Sequence, residues 1–313
     1  MHFVKMHGLG NDFVLVRRKG RLDTQAASRL AVRLCDRRRG IGADGLIFVL
    51  PSARADFRMR IFNADGSEPE MCGNGIRCIA RFARDERLTA KQSISIETLA
   101  GIKRVSIAGR LVTVDMGAPV VEAAAIPVRW PKDRVVEEPL AVPRALLARA
   151  DGGRSSRQAA LRITCVSMGN PHCVVFVRDV RAFPVGTVGP FLERHRIFPR
   201  RTNVEFVEVL SRGAIAQRTW ERGVGETDAC GTGACAAAYA AFITRRTGRN
   251  VAVHLRGGAL RISLADSGRL MMTGPAERVF AGEFQPRGAR NTLTPALSQR
   301  EREKGSPLPL GEG

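Results

Sequence analysis

The chain has 313 residues, of which 44% are hydrophobic and 26% charged, so it has the composition of a soluble globular protein with room for two domains. No apolar run approaches the ~18 residues of a membrane-spanning helix, and the N-terminus lacks the apolar segment of a signal peptide, which predicts a cytoplasmic protein with no membrane partner. The formal net charge of +20 raises the alternative of a basic nucleic-acid-binding protein. Its arginines are spread over the whole length, however, and the densest basic run, 17–21, has no aromatic residues on which bases could stack, so we expect no nucleic-acid partner.

The first half of the chain predicts strands interrupted by two helices. Apolar residues recur at helical spacing in the helical segments, and short runs of β-branched and aromatic residues predict the strands. In chain order the predicted elements are a helix over Thr24–Cys35, strands at 46–50 and 57–62, a helix over about 74–84, a strand at 94–96 and a hairpin over 102–116 that bends at Ala108-Gly109.

The second half repeats this mixture. Its predicted elements are strands near 163–167, 173–177, 204–210 and 214–220, a helix over about 232–244, and short strands at 251–255, 259–264, 270–273 and 278–284. Two stretches predict little regular structure. The segment 130–162 is rich in Pro, Arg and Ala and is expected to be largely loop, with at most a short helix around 143–150. The end of the chain, 286–313, has too few large apolar residues to bury and is predicted to be disordered.

Seven cysteines are present, an odd number in a long chain, which excludes a small disulfide-stapled fold. The two closely spaced pairs are six and five residues apart and contain no Cys-x-x-Cys, so neither places two sulfurs on one face of a helix. We therefore expect reduced thiols and no metal site.

Two of these cysteines belong to an internal repeat. Cys72-Gly-Asn-Gly75 and Cys230-Gly-Thr-Gly233 each open an apolar helix, and the two cysteines are 158 residues apart. The register extends upstream over about 60 residues, because polar residues and glycines recur at nearly equal distances before each cysteine. The corresponding pairs are Asn11 with Asn170, Gly45 with Asn203, and Asn63 with Glu221. This pattern indicates two half-molecules of one ancestral fold.

The position of the cysteines indicates their chemistry. The first N–H groups of a helix lack partners within the helix and favour negative charge, so we expect the pKa of each thiol to lie below the ~8.5 of free cysteine, beside a site for a carboxylate. Two such thiols facing one carbon could remove a proton from one side and return a proton on the other, as in a racemase or epimerase. A single Cys-Gly-x-Gly is more often a tight turn with a half-buried cysteine, and it is the duplication in register that favours the catalytic interpretation.

These motifs resemble those of the diaminopimelate epimerase family. The matching segments run in the family's order over about residues 1–285. They are Lys5-Met-His-Gly-Leu-Gly-Asn-Asp-Phe13, Gly40-Ile-Gly-Ala-Asp-Gly45, Ile61-Phe-Asn-Ala-Asp-Gly-Ser-Glu68, Met71-Cys-Gly-Asn-Gly75, Met168-Gly-Asn-Pro-His172, Arg201-Thr-Asn-Val204 and Glu221-Arg-Gly-Val-Gly-Glu-Thr-Asp-Ala-Cys-Gly-Thr-Gly233. A proline or hydroxyproline racemase is the alternative enzyme, but the first motif of proline racemases resembles Cys-Gly-His and they lack the Glu-Arg-Gly segment.

The resemblance implies an α/β (α+β) fold of two pseudo-symmetric domains, each a mostly antiparallel, barrel-like sheet wrapped round a central helix, with the site between them. The N-terminal domain is expected to span 1–118 and to be completed by a strand at 276–285. The C-terminal domain is expected to span 119–275. The resemblance also implies an isomerase that interconverts LL- and meso-2,6-diaminopimelate for lysine and peptidoglycan precursor synthesis. It would work without pyridoxal phosphate, metal or any other cofactor, as a homodimer.

Site residues follow from the resemblance position by position. Cys72 and Cys230 would be the two acid/base thiols, and the backbone at Gly73-Asn74 and Gly231-Thr232 would hold the α-carboxylate of the reacting centre. His172 and Glu221 would orient the reacting α-amino group. The residues expected to bind the distant, unreactive end of the substrate are Asn11, Asn63, Asn170, Asn203 and Arg222. The chain departs from the family where some relatives carry Gln in place of Gly45, and in a longer segment at 130–162.

Overall fold

The computed structural model describes residues 1–147 and 158–285, and the predicted disordered tail at 286–313 lies outside the described residues. The N-terminal half contains seven strands and two helices. They are β1 (His2–Gly8), β2 (Asn11–Arg17), α1 (Thr24–Cys35), β3 (Gly45–Leu50), β4 (Phe57–Asn63), α2 (Gly73–Asp85), β5 (Ser93–Thr98), β6 (Gly101–Ala108) and β7 (Leu111–Gly117).

The remainder of the described chain contains ten strands, two helices and a 3₁₀ turn at Arg144–Leu147. The elements are β8 (Glu138–Pro143), β9 (Gln158–Ser167), β10 (Pro171–Phe176), α3 (Val185–Glu193), β11 (Asn203–Ser211), β12 (Ala214–Glu221), β13 (Gly225–Thr227), α4 (Gly231–Ile243), β14 (Asn250–Leu255), β15 (Gly258–Leu264), β16 (Leu270–Pro275) and β17 (Glu277–Glu283).

Strand pairing follows one scheme in both halves. In the first half β1–β2 is antiparallel, β2–β3 parallel, β3–β4 antiparallel and β4–β5 parallel, and β5–β6–β7 is an antiparallel meander. In the second half β9–β10, β10–β11, β11–β12 and β12–β14 repeat these directions in the same order, and β14–β15–β16 is the second meander. Helix α1 occupies the same connection as α3, and α2 the same connection as α4. The duplication predicted from the sequence is therefore confirmed at the level of topology.

Each half wraps its sheet round one buried helix, as predicted. Helix α2 packs against β1, β2, β4, β6, β7 and β17, and α4 packs against β9–β12 and β14–β16. Helix α2 buries Ile76, Ile79 and Phe82 together with the charged Arg77, while Arg84 near its end is exposed. Helix α4 contains six buried alanines, whose small side chains let the strands approach closely.

The two halves form one continuous sheet. Strand β16 pairs with β7 in antiparallel register, and the Thr113 and Thr273 hydroxyls hydrogen-bond across this pair at 2.8 Å. Strand β17 then returns to the first half and pairs with β1. The chain therefore crosses between the halves at β7, β16 and β17, beside the helices that carry the repeated motif.

The structure differs from the sequence predictions mainly in the segment 130–162, which was expected to be largely loop. Strand β8 forms there and pairs with β9, with Leu140 opposite Leu161. Leu140 and Val142 are buried on alternate positions, while Pro139 and Pro143 stand on the same strand. The prolines obscured this edge strand, where a missing N–H is tolerated. The short helix expected around 143–150 is the 3₁₀ turn within the described residues.

Candidate active site

Both repeated cysteines occupy the N-cap position of a central helix. Cys72 caps α2 with φ −132° and ψ 118°, and Cys230 caps α4 with φ −120° and ψ 113°. Each sulfur accepts a hydrogen bond from the backbone N–H three residues on, at 3.4 Å from Gly75 and 3.3 Å from Gly233. Extended backbone and a side-chain acceptor are what an N-cap requires. The repeat therefore extends to equivalent positions of the two sulfur atoms.

The first turns of α2 and α4 lie against each other. A Cβ added to Gly73 would lie 3.7 Å from the Cα of Gly231, and one added to Gly231 would lie 3.6 Å from the Cα of Gly73. The Met272 side chain fills the remaining space, 3.1 Å from either added atom. An added Cβ would be in ordinary contact with the facing glycine and tight only against the flexible Met272 side chain, so the glycines leave room for Met272 where the two helix N-termini meet.

Asn74 connects the two cysteine-bearing segments. Its side-chain Nδ2 donates to Asn11 Oδ1 at 3.1 Å and to the carbonyl of Ala229, directly before Cys230, at 3.2 Å. The Cys72 sulfur lies 3.8 Å from the same Asn11 oxygen. Asn11, Cys72 and Asn74, all predicted for the site, are thereby brought together and linked to the segment that carries Cys230.

On the other side of the site a chain of polar contacts leads from Cys230 into the interior. The Cys230 sulfur lies 3.5 Å from Thr232 Oγ1, which accepts from Asn170 Nδ2 at 3.3 Å. His172 contacts Asn170 Oδ1 through Nε2 at 3.0 Å and Glu205 through Nδ1 at 2.7 Å. Both His172 and Glu205 are buried.

Glu205 is the site residue that sequence reasoning missed. Its second oxygen accepts from Gln217 Nε2 and from Thr219 Oγ1, each at 2.7 Å. A Cβ on Gly233 would lie 2.5 Å from its carboxylate, so Glu205 also sits against the first turn of α4. The sequence did contain a signal for it, an acidic residue between the apolar Val204 and Phe206 of a predicted strand. Because a charge is rarely buried without a partner, such a residue indicates a polar partner in the fold.

The thiols do not have the lowered pKa values expected from the sequence. Burial raises the pKa of Cys72, although the N–H groups of Gly75 and Asn74 lower it. The pKa of Cys230 is raised further, by burial and by the negative charges of Glu221 and Glu205. The prediction was wrong because loss of water around each sulfur outweighs the N–H groups of the helix start.

The remaining predicted residues lie at strand ends and in turns. Asn63 ends β4 and donates to Ser67 Oγ at 3.0 Å, while Asn203 begins β11 and donates to the carbonyl of Pro171 at 3.0 Å. Glu221 ends β12, accepts from Thr227 Oγ1 at 2.6 Å, and has its pKa raised, mainly by burial. The Arg222 side chain donates to the carbonyl of Arg200 at 3.0 Å. In the described part of the chain, neither Asn63 nor Arg222 hydrogen-bonds to a residue of the cysteine segments.

Gly45 occupies the start of β3, opposite Asn63, as Asn203 occupies the start of β11. A Cβ at this position would lie 3.0 Å from the Phe62 carbonyl and 3.3 Å from Phe13. A side chain at position 45 would therefore press on the Phe62 backbone carbonyl and on the Phe13 ring.

Within residues 1–147 and 158–285, no three His, Cys, Asp or Glu side chains are grouped so as to hold a metal ion. None of the described helices is long and apolar enough to cross a membrane.

Comparison with known proteins gives one family. The model of the family described as diaminopimelate epimerase matches residues 3–122 and 164–279. The diaminopimelate epimerase of Moorella thermoacetica is 53% identical over 290 residues, covering 91% of this chain and 99% of that protein. The diaminopimelate epimerase of Desulforudis audaxviator is 54% identical over 289 residues, with 91% and 99% covered.

Solved structures with the same fold are more distant in sequence. A phenazine biosynthesis protein of the PhzF family from Bacillus anthracis superposes with a TM-score of 0.65 at 20% identity, covering 91% of this chain and 99% of that chain. A hydroxyproline epimerase from Agrobacterium vitis superposes with a TM-score of 0.62 at 16% identity, covering 90% and 91%.

Proposed function

Because the chain belongs to the diaminopimelate epimerase family, we infer that it is an isomerase that interconverts LL- and meso-2,6-diaminopimelate in lysine biosynthesis, and we propose that Cys72 and Cys230 are its two proton carriers. The observation that supports this assignment is the pair of equivalent N-cap cysteines on helices whose first turns abut. A role in the supply of peptidoglycan precursors, and a cytoplasmic location, belong to the same proposal.

The proposed reaction is a proton exchange at the α-carbon. The unpaired N–H groups at Gly73-Asn74 and Gly231-Thr232 bind the α-carboxylate, so that the α-carbon lies between the two sulfurs. One cysteine, as thiolate, removes the α-proton, and the other, as thiol, delivers a proton to the opposite face. One turnover leaves the first cysteine as thiol and the second as thiolate, so total charge and protons are conserved. This form catalyses the reverse reaction, and proton exchange with water restores the starting form.

Raised thiol pKa values fit this division of roles. A buried neutral thiol is a competent proton donor, while the thiolate needs positive charge nearby. The α-ammonium group of the substrate supplies such charge, and we propose that Glu221 and His172 orient it. Glu221 is itself held by Thr227, and His172 by Glu205 and Asn170.

We propose that the distant end of the substrate is bound by the residues at the strand ends, namely Asn11, Asn63, Asn170, Asn203 and Arg222. A planar guanidinium can donate to both oxygens of a carboxylate, which suits Arg222 to the unreactive carboxyl group. Asn203 Oδ1 accepts from the backbone N–H of Arg222 at 2.9 Å and so fixes the start of that turn. This arrangement favours a substrate with an amino-acid group at each end.

A homodimer is part of the proposal. Strand β17 lies at an edge of the sheet and, in the part of the chain that the structure describes, pairs with β1 alone. Its side chains Val279 and Phe280 are 56% and 46% exposed. An unpaired edge with exposed apolar side chains is suited to pairing with a second copy.

The experiment that tests the reaction is deuterium incorporation at the α-carbon of LL-diaminopimelate in D₂O. The wild-type protein should exchange the α-proton and form the meso isomer. Cys72→Ala and Cys230→Ala, shown to be folded by circular dichroism, should each lose all but a few per cent of this activity, whereas Cys35→Ala, a buried cysteine outside the site, should keep it. Substantial activity in either site variant would contradict the two-thiol assignment.

Two further arms of this experiment test the substrate and the absence of a cofactor. Exchange at the α-carbon of proline or hydroxyproline, with none in diaminopimelate, would overturn the substrate while leaving the two thiols in place. Activity should survive dialysis against a chelator and treatment with hydroxylamine. Loss that is restored by a divalent metal or by pyridoxal phosphate would overturn the cofactor-independent mechanism.

A further inference from the structure

Arg77, on the second turn of α2, is the largest fully buried side chain of the described protein, with 0% of its surface exposed. Its hydrogen bonds go to the Pro275 carbonyl at 3.1 Å, the Gly73 carbonyl at 3.2 Å and Asn74 Oδ1 at 3.0 Å. None of these partners carries a negative charge, and within residues 1–147 and 158–285 no carboxylate forms an ion pair with Arg77. Buried charges in proteins are ordinarily paired, so this guanidinium requires an explanation.

The position of Arg77 connects it to both halves of the site. Nε donates to Pro275 at the end of β16, and Nη1 lies 3.7 Å from the sulfur of Met272, the side chain packed between the two helix N-termini. Gly8 on β1 makes room for the guanidinium, because a Cβ there would lie 2.9 Å from Nη2. Arg77 therefore packs at the junction where the two halves meet, beneath the first turn of α2.

Its contact with Asn74 reaches the cysteine segments. Since Nη2 donates to Asn74 Oδ1, the amide of Asn74 must turn its Nδ2 the other way, toward Asn11 Oδ1 and the Ala229 carbonyl. Arg77 thus decides the orientation of the one side chain that spans from the Cys72 side of the site to the residue before Cys230. A neutral side chain could donate the same hydrogen bond, so this contact does not explain why the side chain at position 77 is charged.

The reason for the charge is the balance of charge near Cys72, where Glu221 supplies negative charge and Arg77 supplies positive charge. Arg77 lowers the pKa of the Cys72 thiol, whereas Glu221 at the end of β12 raises it. Among the described residues, these are the two charged groups that act on the Cys72 thiol. Arg77 also acts on the thiols of Cys78 on α2 and Cys235 on α4, but burial holds the pKa of each at about 12, so both stay neutral. Of the three thiols, Cys72 alone lies at the site.

We propose that Arg77 is a positioning residue for the epimerisation: it orients Asn74 across the two cysteine segments, and its buried charge is the counter-charge for the anions that form during turnover, the Cys72 thiolate and the α-carboxylate bound at Gly73-Asn74. The inference rests on the proposed function for the identity of the reaction. The effect of Arg77 on Cys72 is independent of that function, because it can be measured without substrate.

The test compares Arg77→Gln, which removes the charge, and Arg77→Lys, which keeps the charge but not the fork of donors. Arg81→Gln, on the same helix one turn on, is the matched control, since Arg81 is only partly buried and has an acidic partner, Asp85. The rate of Cys72 alkylation by iodoacetamide, followed by peptide mass mapping, is measured against pH together with kcat and KM.

In Arg77→Gln, the pH of half-maximal Cys72 alkylation should rise. The kcat at pH 7.5 should fall at least tenfold and should recover in part as the pH rises. Lost packing alone would lower kcat without this recovery at higher pH. In Arg77→Lys the alkylation profile should stay near that of the wild type, while kcat falls because Asn74 is no longer held. The control should match the wild type in both.

Either variant can overturn the inference. If Arg77→Gln is folded with an unchanged alkylation profile, the counter-charge role is wrong. If Arg77→Gln does not fold, Arg77→Lys decides, and a kcat equal to that of the wild type overturns the positioning role. Failure of the proposed function has a different signature, namely a wild-type protein that exchanges no α-proton of diaminopimelate whatever the state of Arg77.

Discussion

Glu205 is a carboxylate between apolar residues of β11, and it fixes the position of the site histidine, His172. It accepts hydrogen bonds from His172, Gln217 and Thr219, and all four residues are buried. A carboxylate has acceptor sites for all of these donors, whereas a primary amide would turn an NH₂ group toward at least one of them. The charge at position 205 is therefore part of how His172 is placed.

We predict that Glu205→Gln lowers the free energy of unfolding by about 2 kcal/mol, because it weakens charge-assisted hydrogen bonds and leaves a buried donor unpaired. Urea unfolding at pH 7 measures this. Glu208→Gln on the same strand is the control, since an amide oxygen there can still accept from the Val180 N–H as the carboxylate does at 3.0 Å. Equal losses in the two variants would contradict the role assigned to Glu205.

Single residues differed in how far the sequence could predict them. Cys72 and Cys230 were predictable because a duplicated motif is visible in the sequence itself. The direction of their pKa shifts was not, since it depends on burial and on Glu221 and Glu205, which come near the sulfurs only in the folded chain. Arg77 lies inside a predicted helix, but its lack of an acidic partner becomes visible only when every neighbour is placed.

At the scale of elements, β17 is an edge strand in which six of the seven residues are exposed, Val279 and Phe280 among them. Its Phe280 packs edge-on against Phe3 of β1 with ring centroids 5.8 Å apart, yet the ring is still 46% exposed. Helix α2 contacts this strand, and among the described residues β1 alone pairs with it, which leaves its outer edge open. This is where the proposed dimer contact belongs.

We therefore predict that Phe280→Asp converts a dimer into a monomer, because a charge would have to be desolvated in the paired edge. Sedimentation velocity at micromolar concentration measures the state of association. Leu210→Asp is the control, because Leu210 on β11 is 51% exposed but belongs to the C-terminal half, away from β17. A dimer that persists in Phe280→Asp, or one lost equally in the control, would move the interface elsewhere.

Elements were predictable where the pattern was local. Helix α1 was predicted with the bounds that the structure shows, and it begins at a sequence-visible cap, Asp23, which accepts from the N–H groups of Gln25 and Ala26. Helix α3 escaped prediction because it is short, lacks a side-chain cap and contains Pro190. Strands β1 and β2 carry the residues of the first motif, so glycines and polar residues mask their apolar pattern.

At the scale of the whole molecule, the duplication places the two site cysteines at equivalent positions of the two halves. The buried core also contains cysteines that lie outside the site. Burial raises the pKa values of Cys35, Cys78 and Cys235 to about 12. These cysteines lie in α1, α2 and α4, so both halves contain them. Each is neutral in the folded protein and becomes a free thiol with a pKa of ~8.5 when the chain unfolds.

This difference ties folding to pH in a definite direction. Below the pKa of the free thiol both states are protonated, and the stabilisation is fully present. Between about 8.5 and about 12 the unfolded chain releases these protons while the folded chain keeps them, so the free energy of unfolding falls as pH rises. Each buried thiol contributes up to ~1.4 kcal/mol per pH unit to this slope.

We predict that the wild-type protein loses stability steeply above about pH 8.5, and that Cys35→Ala loses it less steeply, by up to ~1.4 kcal/mol per pH unit. Cys35 is suited to this comparison because it lies in α1, outside the site, so the variant changes one titrating thiol without touching either proposed proton carrier. Urea unfolding at a series of pH values from 7 to about 10.5, under reducing conditions, gives the two slopes. The lysines and the single tyrosine are common to both proteins, so their contribution to the slope cancels in the difference. Curves that run parallel, separated only by a constant loss from the small cavity, would show that the Cys35 thiol ionises as readily in the folded protein as in the unfolded chain.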